Sequence, residues 1–403
     1  MRPFTATIPL EEAQQRLREA ARPVARVETV PLEHLAGRVL ADDVVARTNV
    51  PPFARAMMDG YAVRADDTVG ATPDTPRELS VIGRVFTGEV FTGHVGAGEA
   101  VEIATGAPLP GGATAVVMVE DTTPGATTDR VIVRGRVGPG QHVGRAGADI
   151  AHGEEVLRAG DHLLPARVGV LAALGLREAS VYARPRVAIV STGNEVVPPG
   201  TPLRPGQIHD VNRTTLGAIV AEHGGEPAPL AVAADTLDAL HDALAETAGC
   251  DAIVFSGGSS VGDRDLLIDL LHGRGEVIFH GVATRPGKPT AFGRIDGVPV
   301  FGMPGNPTSC LTNAYVMLVP FLRALAHLPP FRPQVVRVPL ARRVTSAPGR
   351  TQFYTVRLLD GLAEPAFKAS SDITSMAHAD GYVEIAAEVT ALEAGSLVDV
   401  VLF

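Results

Sequence analysis

Three features of the sequence predict a multidomain chain combining α/β and β parts. At 403 residues it exceeds what one ordinary hydrophobic core supports, so three or four domains are expected. From Arg186 onward, short apolar runs alternate with helix-like segments, the pattern of a doubly wound α/β layer. On both sides of that layer, valine-rich segments are punctuated by turns. The 43 glycines and 32 prolines make extensive β structure the expectation there.

Taken in order, Leu10 to Ala20 reads as an amphipathic helix with no neighbour in sequence to cover its apolar face, which suggests a partner subunit. Leu32 to Leu40 predicts a second short helix ended near Gly37. The double proline and Asp59-Gly60 step of Asn49 to Val63 predict an irregular exposed loop leading into a strand. By itself, Asp59 reads as a turn aspartate beside a glycine. From Leu79 to Val137, the segments SVIGRVF, AVEIATG, AVVMVED and RVIVRGRV predict a small antiparallel β domain. Thr105 to Gly112 is one of its loops, and Val143 to Ile150 closes it. Pro165 to Leu176 predicts a helix stopped by Gly175. Helical segments flanking a β block imply a helical domain into which the β domain is inserted.

The expected α/β strands are Val187–Val190, Pro229–Val232, Ile253–Phe255, Val277–Phe279, Ala291–Ile295 and Val298–Gly302, the last two joined at Asp296-Gly297. Helices are expected at Arg213–His223 and Thr236–Ala248. Pro329, Pro330 and Pro333 mark a linker, and the remainder reads as β.

Chemistry concentrates between Asp251 and Asn306. The strand Ala252–Phe255 empties into Ser256-Gly257-Gly258-Ser259-Ser260, and Asp263 stands where it can cap a helix. A strand, a glycine-rich turn and a helix start together form an anion site at the carboxyl edge of a sheet. Pro304-Gly305-Asn306-Pro307 repeats the device, with Asn306 as cap and Pro307 at the first position of a long apolar helix toward Leu325. Between them, prolines hold Arg285 and Lys288 in Arg285-Pro286-Gly287-Lys288-Pro289. Any one such turn is ordinary. Several in one sheet-sized segment, with two cations between, point to a phosphate-rich ligand.

The formal net charge of −10 argues against a general nucleic-acid surface, so an anion needs a local basic pocket. Cys250 and Cys310 lack metal or redox spacing and read as buried free thiols. The start MRPFTATIPLEEA has no apolar signal core, and no run approaches the ~20 apolar residues of a membrane helix. A cytoplasmic protein is expected, with neither membrane nor nucleic acid as a partner.

The chain resembles the MoeA family, the molybdopterin molybdenumtransferases, whose animal relative is the E domain of gephyrin. PLEHLAGRVLADDVVA, VPPFARAMMDGYAVRADD, TGAPLPGGATAVVMVE, RAGADI, STGNE, SGGSSVGDRD, RPGKP and MPGNP stand in that family's order and spacing. The resemblance implies a discontinuous helical dimerisation domain (1–45 and 147–180) and an inserted β domain (46–146). A three-layer, molybdopterin-binding α/β domain (181–328) and a C-terminal β barrel (329–403) follow. It implies a homodimer whose site is shared between subunits. The substrates would be adenylylated molybdopterin and molybdate, with Mg²⁺ as cofactor and AMP as released product. The adenylyltransferase that supplies the substrate is an expected partner.

By the same resemblance Asp265 and Glu195 hold the metal, and Asp59, Asp149 and Asp235 join them as catalytic carboxylates. Ser256, Gly257, Gly258, Ser260, Gly262, Gly305 and Asn306 bind the pterin nucleotide. Arg285, Lys288, Ser309, Arg350 and Ser371 bind the oxyanion, and Pro289 is a further cofactor-binding residue. Four features depart from the family pattern. Arg285 replaces a lysine, Asn194 an aspartate and Ser259 a valine, while Ala54 and Ala56 replace polar residues. Two alternatives stand beside this expectation, a tungstate-specific version of the enzyme and a molybdopterin adenylyltransferase.

Overall fold

The computed structural model describes residues 7–257 and 266–403. It divides into two compact units. One takes the described residues of Met1–Glu28, Gly37–Val39 and Val181–Phe403, and the other takes Thr29–Ala36 and Leu40–Ser180.

The larger unit is built on six strands: β1 (Arg186–Ser191), β2 (Glu226–Pro229), β3 (Ala252–Ser256), β4 (Gly275–His280), β5 (Ala291–Ile295) and β6 (Val298–Met303). Their spatial order is β2-β1-β3-β6-β5-β4. The first four in that order run parallel, while β5 is antiparallel to β6 and β4 antiparallel to β5. The sheet is covered on both faces, which explains why its strands read as unbroken apolar runs. Val187, Ile189 and Val254 enter one core, with Leu216 and Ile219 of helix α2 (Asn212–Glu222). The alternate residues Ala188, Val190, Ile253 and Phe255 enter a second core. There they meet Leu240 and Leu244 of α3 (Leu237–Ala245) and Leu267, Leu270 and Leu271 of α4 (Leu266–Arg274).

Two elements differ from expectation here. The edge strand β2 lies three residues earlier than predicted, over Glu226-Pro227-Ala228-Pro229. An edge position needs few ladder donors, so it accepts prolines that a central strand would reject. The long apolar helix is present but divided into α5 (Pro307–Asn313), a π-helical stretch (Ala314–Leu318) and α6 (Val319–Leu325). Pro320 has no N–H for the carbonyl four residues back. That carbonyl, Val316 O, instead accepts from Gln14 Nε2 at 3.1 Å.

Gln14 belongs to the N-terminal helix (Leu10–Ala20), whose Leu10, Ala13, Leu17 and Ala20 are buried in the same core as α6. The apolar face that seemed to need a second subunit is therefore covered by its own chain. The C-terminal part is β-rich, with Thr351–Leu359, Gly381–Ile385, Leu397–Leu402 and Val335–Pro339 as successive antiparallel neighbours.

The other unit holds a mixed six-stranded sheet. Its order is Ala115–Met118, Gly60–Val63, Glu99–Ile103, Arg77–Val85, Arg130–Val133 and Thr122–Pro124. A purely antiparallel sheet was expected, but Arg77–Val85 pairs parallel with Glu99–Ile103. Residues 86–98 between them are long enough for a crossover, which a tight hairpin turn is not. The helix expected over Leu32–Leu40 is a single 3₁₀ turn, Leu32–His34. The run is too short to bury a helical face, and no residue of that turn is buried. The helix Pro165–Ala173 forms as predicted and ends before Gly175, whose φ of 75° suits a helix terminus.

Candidate functional site

The carboxyl ends of three adjacent parallel strands, β1, β3 and β6, open into glycine-containing turns that touch one another. Thr192 N donates to Ser256 O at 2.8 Å, and Gly257 N to Met303 O at 3.3 Å. Gly257 has φ +101°, and a Cβ there would lie 2.3 Å from Thr192 O. Glycine is required at that position on both counts. A Cβ on Gly305 would sit 3.5 Å from Gly257 Cα, so the turns after β3 and β6 are in van der Waals contact.

Asn212, at the start of α2, joins them. Its Nδ2 donates to Ser256 Oγ at 2.8 Å and to Gly305 O at 2.8 Å. The buried hydroxyls of Ser191 and Thr192 have no hydrogen-bond partner among the described residues. Gly258, Ser260, Gly262 and Asp265, together with the capping position Asp263, lie outside the described residues. Cys310 Sγ is 3.9 Å from Ser256 Oγ. Burial pushes its thiol up to about 12, which rules it out as a nucleophile.

Glu195 follows β1, and the turn it occupies meets that of Asp235. Gly193 N donates to Ala233 O at 3.3 Å, and Asp235 N donates to Asn194 Oδ1 at 3.3 Å. Partial burial and the negative charge of Glu195 together raise the Asp235 carboxyl above its ordinary range, against the opposing bond from Asn194. The structure thus brings these two predicted carboxylates together.

The Arg285–Pro289 loop is fixed from below by α5. Asn313 is fully buried, and its Nδ2 donates to Gly287 O at 2.8 Å and to Thr290 Oγ1 at 2.6 Å. A Cβ on Gly287 would lie 2.0 Å from that nitrogen. Thr284 and Arg285 pair in parallel register with Thr351 and Gln352, which brings the exposed Arg285 beside the segment carrying Arg350. Lys288 and Pro289 are half-buried.

Ser309 is buried in the first turns of α5. Asn306 holds the N-cap position without a capping bond; its Nδ2 donates instead to Ser370 Oγ at 3.0 Å. Thr308 N donates to Ser370 O at 3.0 Å, and Thr308 Oγ1 to Asp372 O at 2.8 Å. The start of α5 is thereby bound to the segment carrying Ser371. The predicted oxyanion residues gather from three stretches of chain around α5.

The remaining predicted carboxylates belong to the other unit. Asp59 Oδ1 accepts from Thr105 N at 2.7 Å and Thr105 Oγ1 at 2.9 Å. These bonds hold its carboxyl below the usual aspartate range. Gly60 after it is obligatory, since a Cβ would fall 1.9 Å from Val117 O. Beside Asp59 is a cavity of about 210 Å³ whose lining includes Tyr61, Arg84, Phe86 and Glu102. Asp149 is exposed, and its N–H donates to Val50 O at 3.0 Å, which ties its loop to the first loop.

Thr105, Asn212 and Asn313 were absent from the predicted site. Thr105 lies within the TGAPLP segment, and Asn212 follows His209-Asp210-Val211, so polar residues next to glycine-rich turns were the available signal.

A model of the MoeA N-terminal region (domains I and II) matches residues 8–175, one of a probable molybdopterin-binding domain matches 188–324, and one of the MoeA C-terminal region (domain IV) matches 337–403. A molybdopterin molybdenumtransferase 2 of Mycobacterium tuberculosis is 40% identical over 398 residues, 94% of this chain and 95% of its own. The chain belongs to the MoeA family. A molybdopterin molybdenumtransferase of Staphylococcus aureus is 31% identical over 402 residues, 98% of this chain and 95% of its own. The crystal structure of a molybdopterin biosynthesis MoeA protein from Pyrococcus horikosii is 40% identical, with a TM-score of 0.86 over 98% of this chain and 99% of that one. In this MoeA chain the molybdopterin-domain match runs from β1 into α6, and so contains the three-turn crevice, Asn212 and Asn313.

Proposed function

We propose that this MoeA-family chain is a molybdopterin molybdenumtransferase. It takes adenylylated molybdopterin and molybdate, inserts molybdenum into the dithiolene and releases AMP, giving molybdenum cofactor. The observation that supports this most is the convergence on one sheet edge of glycine turns suited to phosphate and a proline-braced cationic loop suited to an oxyanion.

In this reading the Ser256–Gly262 and Gly305–Asn306 turns bind the pterin nucleotide. Arg285 and Lys288, with Ser309, Arg350 and Ser371, bind molybdate. A chain of net charge −10 attracts no anion at long range, so these local cations and hydroxyls must do so.

Mg²⁺ is the proposed cofactor. Among the described residues no three His, Cys, Asp or Glu side chains cluster as a closed metal site. Mg²⁺ usually takes only one or two carboxylates plus substrate phosphate oxygens, and the Glu195–Asp235 pair fits that demand. Burial and, after it, the negative charge of Glu195 raise Asp235, and a bound cation would offset both. Asp265 is proposed to add a further carboxylate. Bound there, the ion would supply charge neutralisation at the leaving phosphate.

The homodimer is part of this proposal, with Asp59 and Asp149 of one subunit serving the crevice of the other. So are the adenylyltransferase as supplier and the cytoplasm as location. No helix of the described residues is long and apolar enough to cross a membrane.

The test is AMP release from adenylylated molybdopterin with molybdate and Mg²⁺ added singly and together. Release that needs both supports the reading. Formation of adenylylated molybdopterin from ATP and molybdopterin would instead make the chain an adenylyltransferase.

A further inference from the structure

Two asparagines in the larger unit carry the same device. Asn212 donates through Nδ2 to a hydroxyl, Ser256 Oγ, and to the carbonyl of a turn glycine, Gly305. Asn313 donates through Nδ2 to a hydroxyl, Thr290 Oγ1, and to the carbonyl of a turn glycine, Gly287. A carbonyl only accepts, so the nitrogen of each amide must face its turn. Both side chains are more than nine-tenths buried, and in both Oδ1 lacks a hydrogen-bond partner among the described residues. An unmet buried acceptor is costly, and an apolar residue would avoid that cost. What each amide provides in exchange is a fixed distance between a glycine turn and the helix that carries the asparagine. Gly305 closes on Gly257, and Gly287 sits between Arg285 and Lys288.

We propose that Asn212 and Asn313 are two separate positioning residues, one for each substrate. Asn212 sets the paired turns that receive the nucleotide. Asn313 sets the cationic loop that receives the oxyanion. Neither needs to touch a ligand. This rests on the proposed function, and it goes further by assigning each clamp to one ligand. The two clamps lie at opposite ends of α5, with Gly305 just before it and Asn313 its last residue.

The experiment measures equilibrium binding of AMP alone and molybdate alone to the full chain and to Asn212→Ala and Asn313→Ala. AMP release is measured alongside, as a function of each substrate. Asn212→Ala should weaken AMP binding and raise the KM for adenylylated molybdopterin about tenfold or more, leaving the molybdate response unchanged. Asn313→Ala should do the reverse, by a similar factor of about ten. Asn212→Ser and Asn313→Ser, which keep one short donor, should fall between wild type and alanine. They also serve where an alanine variant fails to fold. Thermal midpoints are recorded for all, because a purely structural role lowers stability without a substrate-selective split. Variants that change both ligands alike, or neither, overturn the assignment while wild-type binding and turnover keep the functional reading intact. Wild-type protein that binds neither AMP nor molybdate overturns that reading and this inference together.

Discussion

Two aspartates of this chain are driven in opposite directions by their surroundings. Asp235, near the sheet edge of the larger unit, sits beside Glu195, and burial and that like charge raise its carboxyl. Asp59, in the unit of residues 29–36 and 40–180, receives two hydrogen bonds from Thr105 and is lowered. The first setting stores repulsion that a cation would relieve. The second favours the ionised carboxylate through two donors from Thr105. One residue type thus meets two environments, and neither shift can be read from residue identity alone.

The most severe way to break the first setting is Glu195→Gln. Loss of one metal-holding carboxylate should lower AMP release about a hundredfold, with the fold retained in circular dichroism. Turnover near wild type would remove Glu195 from the metal site. Lys288→Ala comes next in size. It should raise the molybdate needed for half-maximal turnover by about 1–3 kcal/mol of lost contact, while nucleotide binding stays constant. A variant that lost only nucleotide affinity would assign the cationic loop to the pyrophosphate instead.

Thr105→Val sharpens the second setting. It deletes the hydroxyl donor but keeps the amide donor, which is the larger cause of the Asp59 shift. The Asp59 carboxyl should therefore move only part of the way back toward its ordinary value in an NMR titration. A complete return would show that the hydroxyl, not the amide, sets it.

The smallest effect concerns stability. Asp235 is raised above the ordinary 3.8, so its favourable contribution is complete below that pH and is lost as pH climbs through the raised value. Asp235→Asn should then raise the thermal midpoint slightly near neutrality, with the gain fading in acid. A loss at neutral pH would mean that the carboxylate has a stabilising partner.

The α/β layer was legible because its strands are buried on both faces and spell continuous apolar runs, as in Ala252–Phe255. Glycine turns and the Asp296-Gly297 hairpin were legible for local steric reasons, and both turn residues have positive φ. Cys250 and Cys310 are buried and free, as their spacing predicted. What escaped notice depends on distant pairings. The cover of Leu10–Ala20 comes from a helix some three hundred residues away, and Gln14 bonds Val316 there. Asn212 and Asn313 look like ordinary helix polar residues until Gly305 and Gly287 are placed beside them. The shift of β2 by three residues follows from its edge position, which accepts Pro227 and Pro229 and which the local sequence does not reveal.

In the proposed homodimer, the two carboxylate settings serve one reaction from different subunits. Glu195→Gln and Asp59→Asn proteins, each inactive alone, are mixed under conditions of verified subunit exchange, and AMP release is measured. A shared site predicts that heterodimers regain one intact site, with activity rising toward about a quarter of wild type as exchange reaches a statistical mixture. Persistent inactivity in proven heterodimers would contradict it, because each subunit would then need both carboxylates in its own chain.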